Sequence, residues 1–264
     1  MSLRTQSLTR YITPLREGGS LPALAEADDG FKYVVKFRGA GHGVKALIAE
    51  LIGGEIARRL GLQVPELVFL NVDSRFGITE PDEEIQDLLR ASQGLNLGLH
   101  YLGGSLTLDP YVNPVDPALA SRIVWLDAFL TNVDRTAANT NMLLWHGREV
   151  WLIDHGASLY FHHSWRNLTE APLTPFGSII ARHSLLHKAS QLPEADALAH
   201  RLLSDDDFRQ IVDLIPSDWL QWGPEVDMTE SELRRTYLQF LTTRFHNSQI
   251  FTNAAIDERR KSLI

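Results

Sequence analysis

The sequence predicts an α+β fold: a small antiparallel β-rich lobe with one helix, then a larger, mainly helical lobe interrupted by one β-hairpin. Three observations predict it. Runs rich in β-branched and aromatic residues, punctuated by Gly and Pro, fill the first third of the 264 residues. After about residue 105, apolar residues recur at helical spacing. Between helical stretches, residues 132–156 read NVDRTAANTNMLLWHGREVWLIDHG, two apolar runs flanking a His-Gly turn signal. The boundary is placed between lobes 1–105 and 106–264.

In chain order, Tyr11–Leu15, Leu21–Ala25 and Tyr33–Phe37 read as three short antiparallel strands. Glu17-Gly-Gly-Ser20 links the first two, and Asp28-Asp29-Gly30 turns the chain into the third. The loop RGAGHG, residues 38–43, leads into a helix from about Val44 to Leu60, with Gly61 as its stop signal. Gly53-Gly54 inside it costs helix stability, which points to close approach of a neighbouring strand. Val64–Val72 returns to strand, residues 80–87 form an acidic exposed stretch, and residues 94–104 read as a strand or connector. Pro117–Leu130 carries a helical stripe of Leu119, Ile123, Leu126 and Leu130, and residues 193–215 suggest one or two helices. Thr229-Glu-Ser-Glu232 has capping-box spacing and opens a long helix with Leu233, Tyr237, Phe240, Leu241 and Phe245 on its core face.

Composition excludes several classes. A formal net charge of −8 makes a nucleic-acid-binding surface unexpected, and Arg259-Arg260-Lys261 is read as a solvated tail. With no cysteine there is no disulfide, thiolate metal site or thiol nucleophile. The opening MSLRTQSLTRYITPL lacks the apolar core of a secretion signal, and no apolar run reaches the roughly 18 residues of a membrane span. A cytoplasmic protein without membrane contact is expected.

The hairpin carries the chemistry. With His146-Gly147 as a two-residue loop, Trp145 pairs with Arg148, and the same register places Asn139 opposite Asp154. A carboxylate and an amide carbonyl are hard oxygen ligands suited to Mg²⁺. Asp134, five residues before Asn139, reaches the same pocket and can accept a proton from an attacking hydroxyl or orient it. Singly, each of the three is an ordinary turn or cap residue. Their coincidence beside one buried hairpin is what points to catalysis.

These residues resemble the catalytic core of protein-kinase-like enzymes, above all the HipA-like kinase family, over roughly residues 15–160. Asn132-Val-Asp134-Arg135, followed by Asn139, is similar to the family's catalytic loop, and Asp154 to its metal-binding Asp. The resemblance implies a kinase-like bilobal fold with a nucleotide-binding N-terminal lobe and a catalytic C-terminal lobe. It implies Asp134 as the catalytic acid–base residue, and Asn139 and Asp154 as Mg²⁺ ligands. Lys36 in YVVKF looks like the strand lysine that touches ATP phosphates, Glu50 like its helix partner in competition with Glu55, and Gly18-Gly19-Ser20 stands in for the phosphate-covering loop. Thr136 and His155 depart from the usual pattern, where relatives have His or Lys and Phe.

The resulting expectation is an ATP- and Mg²⁺-dependent serine/threonine kinase of protein substrates, with an antitoxin-like protein as a conceivable partner. The alternatives are a small-molecule kinase acting on a sugar, inositol or antibiotic hydroxyl, and a nucleotide-binding pseudokinase regulator. A metal-dependent hydrolase ranks last because it leaves Lys36 and the glycine loop unused. Zinc at His155, His162 and His163 lacks ligand spacing. Asp127, inside an apolar helical stripe, is read as a buried acceptor steadying the catalytic loop, with Arg135 as a candidate partner.

Overall fold

Residues that alternate between two faces build the first part of the molecule. The computed structural model describes residues 2–15, 21–78, 80–221 and 227–263. Strands β1 (Thr5–Pro14), β2 (Ala23–Ala27), β3 (Lys32–Lys36), β4 (Leu67–Val72) and β5 (Gly94–His100) close a barrel in the order β1-β2-β3-β5-β4. Ala23, Ala25, Tyr33, Val35, Val68 and Leu70 fill its interior. The opposite faces of β4 and β5, with Leu67, Phe69, Leu97 and Leu99, join a second and larger core. Strand β4 is therefore apolar on both faces, which explains its unbroken run LVFL. The three antiparallel strands of the sequence reading are present. The barrel closes through parallel pairing of β1 with β4, Thr5 opposite Phe69, a contact between distant segments that local pattern does not encode.

Helix α1 (Gly43–Arg59) lies between barrel and helical region, and all of Leu47–Ala57 is buried. A helix apolar all round needs cover on every side. Gly54 permits it: a Cβ there would sit 2.8 Å from Leu67 Cδ1 of β4. The acidic stretch contributes helix α2 (Glu83–Ala91), started by Asp82, whose side chain accepts from Glu84 N–H.

The C-terminal part holds α3 (Pro117–Leu130), with bounds matching its sequence signals because Asp116 caps it and Pro117 takes its first turn. A three-stranded sheet is built from segments on both sides of that helix, β6 (Leu106–Thr107) before it and β7 (Met142–Trp145) and β8 (Glu149–Leu152) after it, in the order β6-β7-β8. Helices α4 (Gly177–Ile180), α5 (Leu192–Leu202), α6 (Asp205–Asp213), α7 (Glu230–His246) and α8 (Gln249–Ser262) complete the chain. The capping box at Thr229 and Glu232 forms, and all five predicted core residues of α7 are buried. Arg259, Arg260 and Lys261 end α8 instead of trailing as a tail. Among the described residues no helix is long and apolar enough to cross a membrane.

The hairpin register differs from the sequence expectation. Trp145 pairs with Glu149, not Arg148, so the loop is His146-Gly147-Arg148. His146 and Gly147 both have positive φ, and a three-residue loop displaces the ladder by one residue. Beyond the strands, Asn141 carbonyl accepts from Ile153 N–H, so Asn139 is not opposite Asp154.

Candidate active site

Strand alternation sends Tyr33 and Val35 into the barrel and leaves Lys36 on its outer face beneath α1. Lys36 Nζ donates to Glu50 Oε2 at 2.6 Å and to Asp154 Oδ1 at 2.5 Å. Three separate elements thus meet at one ammonium: β3, α1 and the segment leaving β8. Glu55 instead pairs with Arg58 on its own helix. Glu50 is fully buried, whereas the Asp154 side chain is 43% exposed. Burial alone would lower the Lys36 ammonium, but Asp154 and Glu50 hold it above its ordinary value. Burial would raise the Glu50 carboxyl; Lys36 and the His155 side chain hold it below the usual carboxylate range, and the His155 backbone N–H also donates to Oε2 at 2.7 Å.

The trio carries one cation and two carboxylates, hence an excess negative charge. Glu50 Oε1 is buried without a hydrogen bond, with His155 Nδ1 3.5 Å away, and Asp154 engages only Oδ1 among the described residues. Asp154 also holds φ at 57°, a conformation that costs roughly 1–3 kcal/mol and persists where surroundings enforce it. The chain fixes it through His155: a Cβ on Gly53 would lie 2.7 Å from His155 Cβ, so the helix glycine makes room for the residue after Asp154.

Asp134 sits in the loop after α3. Its Oδ2 accepts from Asn139 Nδ2 at 2.7 Å and Asn141 Nδ2 at 3.3 Å, and its N–H donates to Asn132 Oδ1 at 3.1 Å. The structure therefore brings Asn139 to Asp134, while Asp154 turns to Lys36. No hydrogen bond links Asn139 with Asp154 among the described residues. Asn141 connects the two groups, because its side chain holds Asp134 and its carbonyl pairs with Ile153, the residue before Asp154. A cleft of about 530 Å³ is lined by residues that include Asn139, Asn141, Ile153, Thr107, Asp109 and Tyr111.

Gly18, Gly19 and Ser20 lie outside the described residues. Sequence reasoning missed Asn141; the available signal was an Asn at a strand entrance, a residue type that tolerates its φ of 48°. Among the described residues, no group of three or more His, Asp or Glu side chains forms a metal site. One exposed carboxylate beside an excess negative charge, with an amide carbonyl available on Asn139, nevertheless has the chemistry of a Mg²⁺ site completed by water and phosphate.

A barrel joined to a helical region, with a lysine–glutamate–aspartate trio at the junction and an Asp-x₄-Asn loop beyond it, defines a kinase-like protein. The chain belongs to the HipA-like kinase family, whose model matches residues 8–252. Membership makes it, in general terms, a phosphotransferase. The crystal structure of the Helicobacter pylori proinflammatory kinase CtkA matches with a TM-score of 0.56 and 12% identity, over 97% of this chain and 99% of that one. At that identity the likeness shows a shared mixed α/β, kinase-like fold. The MAP kinase LmaMPK10 from Leishmania major, also 12% identical, is matched over 99% of this chain and 84% of that one, with a TM-score of 0.27, too low to carry an argument. No curated protein matches the chain.

Proposed function

We propose that the chain is an ATP- and Mg²⁺-dependent kinase, bilobal with lobes 1–105 and 106–264, that transfers the γ-phosphoryl group to a protein Ser or Thr hydroxyl. The observation that carries the reading is the convergence of Lys36, Glu50 and Asp154 from three elements on one partly open point. Buried Glu50 aims the Lys36 ammonium, which is then available to a phosphate oxygen once Asp154 turns to a cation. Asp154 and the Asn139 carbonyl are the residues to hold Mg²⁺. When bound with ATP, the ion neutralises charge on the transferred phosphate.

Asp134 has its own task. Asn139 and Asn141 both donate to Oδ2, which orients the carboxylate and leaves Oδ1 to accept the acceptor's proton. The cleft beside Asn139 and Asn141 has the size for a small ligand, and Lys36 and Asp154 are not among the residues that line it. The Ser/Thr acceptor follows from the family resemblance.

Labelled ATP with Mg²⁺ and a protein substrate mixture tests the reading. Asp134→Ala should cut transfer by about 10²–10⁴-fold, and Asp154→Ala should do at least as much. Turnover equal to wild type in both variants would overturn the proposal. Label appearing only in small metabolites would keep the kinase but replace its acceptor.

A further inference from the structure

The loop carrying Asp134 is held from behind by a buried network built on Asp127 of α3. Asp127 Oδ2 accepts from Arg135 Nε at 2.6 Å and His183 Nε2 at 2.9 Å, while Oδ1 accepts from Asn132 Nδ2 at 2.9 Å. All of this is sealed from water: Asp127 and Arg135 side chains are 0% exposed and His183 is 2%. Arg135 reaches further, donating to the Asn141 carbonyl and, at 3.4 Å, to that of Ile153. Asn132, Arg135, Asn141 and Ile153 are neighbours in sequence or partners of Asp134 and Asp154. One carboxylate therefore sets the position of both.

His183 is the member that comes from elsewhere, at position 183 in the segment after α4. Its tautomer is fixed by its neighbours. Leu185 N–H donates to Nδ1 at 3.0 Å, so the ring proton is on Nε2 and is donated to Asp127. The backbone adds a clasp: Thr136 and His183 form an antiparallel bridge, and Ser184 N–H donates to the Arg135 carbonyl at 3.1 Å. The segment is thus fastened to the loop through the backbone at positions 135 and 136, while the His183 side chain reaches Asp127 of α3.

We propose that His183 is a positioning residue for phosphoryl transfer, locking Asp127 and Arg135 so that Asp134 and Asp154 are held in register. This rests on the kinase reading above. It goes beyond it by assigning a task to a residue some fifty positions downstream, outside the motif that carries the resemblance.

Two amide variants separate positioning from bulk stability. In His183→Gln the side-chain amide N–H replaces Nε2 and still reaches Asp127. In His183→Asn the shorter amide takes the place of Nδ1 and leaves Asp127 one donor short. Misplacement on the ångström scale costs on the order of 10²-fold in rate. His183→Asn should therefore lose about that factor in kcat with the KM for ATP unchanged, and His183→Gln should restore most of it. Equal losses in the two variants, or a loss confined to KM, would overturn the proposal.

Two readouts need no activity. Hydrogen exchange across residues 132–141 should quicken in His183→Asn and stay slow in His183→Gln. Long-range proton–nitrogen NMR of the wild type should show His183 protonated on Nε2, and protonation on Nδ1 would overturn the lock even if no variant folds. Were Asp134→Ala fully active while these two readouts came out as expected, the lock would stand and the catalytic assignment of Asp134 would fall.

Discussion

Two ion-pair centres built from the same chemistry behave oppositely in this molecule. Around Asp127, every side chain is shut away and the carboxylate receives three donors, from Arg135, His183 and Asn132. Around Lys36, one carboxylate is buried and the other, Asp154, is 43% exposed, with Glu50 Oε1 left without a hydrogen bond among the described residues. The first centre is closed and its carboxylate is met on both oxygens, although Arg135 Nη2 has no hydrogen-bond partner among the described residues. The second is open at Asp154. A sealed carboxylate with donors on both oxygens specifies geometry, whereas an exposed one is prepared for a ligand. The two are coupled through short chain segments, since Arg135 in the closed centre holds the carbonyl of Ile153, and Asp154 follows in the open one.

The comparison predicts unequal responses to similar substitutions. The largest belongs to Arg135→Met, which strands the Asp127 carboxylate in a dry interior. It should cost about 3–5 kcal/mol, lowering Tm by on the order of 10 °C. A cost as small as that of a surface pair would show that the closed centre is not closed. Next comes Gly53→Ala, whose new methyl would meet His155 Cβ at 2.7 Å. Overpacking of about 1–3 kcal/mol should outweigh the roughly 1 kcal/mol gained in helix propensity, and Gly54→Ala offers the same test against β4.

Acid sharpens the contrast further. Both buried carboxyls are held below their ordinary values of 3.8 for Asp127 and 4.5 for Glu50, chiefly by Arg135 and Lys36 against the opposing effect of burial. The unfolded chain therefore takes up these protons first as pH falls. Their stabilisation is complete above about pH 4.5 and is lost as pH drops below it toward the folded values. Glu50→Gln should flatten the acid limb of a denaturation profile, and an unchanged limb would contradict the Lys36–Glu50 pairing. The smallest effect belongs to Asp154→Asn in the absence of nucleotide. Its exposure should hold the stability cost to about 1 kcal/mol or less.

What was legible in the sequence were the features written locally. Asp116-Pro117 marks the start of α3, and the Thr229/Glu232 box with its apolar stripe marks α7. Asp127 inside an apolar stripe already suggested a buried acceptor for Arg135, and that pair forms. Lys36 was conspicuous because a lysine in YVVKF requires a partner, although spacing alone left Glu50 and Glu55 in competition. The rest depended on contacts between distant segments. Barrel closure needs β1 to find β4. The hairpin loop takes in Arg148 as a third residue, which no local pairing rule would have forced. That single step moved Asn139 away from Asp154 and brought in Asn141 as the connector. His183, far along the chain, carried no signal beyond being a histidine near a short helix.

The central claim is that the open centre completes itself with a divalent cation and a nucleotide. Calorimetric titration of a non-hydrolysable ATP analogue, with and without Mg²⁺, into wild type and Asp154→Asn tests it most directly. Affinity should rise with Mg²⁺ in the wild type, and that rise should vanish in the variant while both proteins remain folded. An equal Mg²⁺ dependence in the two, or no binding to the wild type at all, would contradict it.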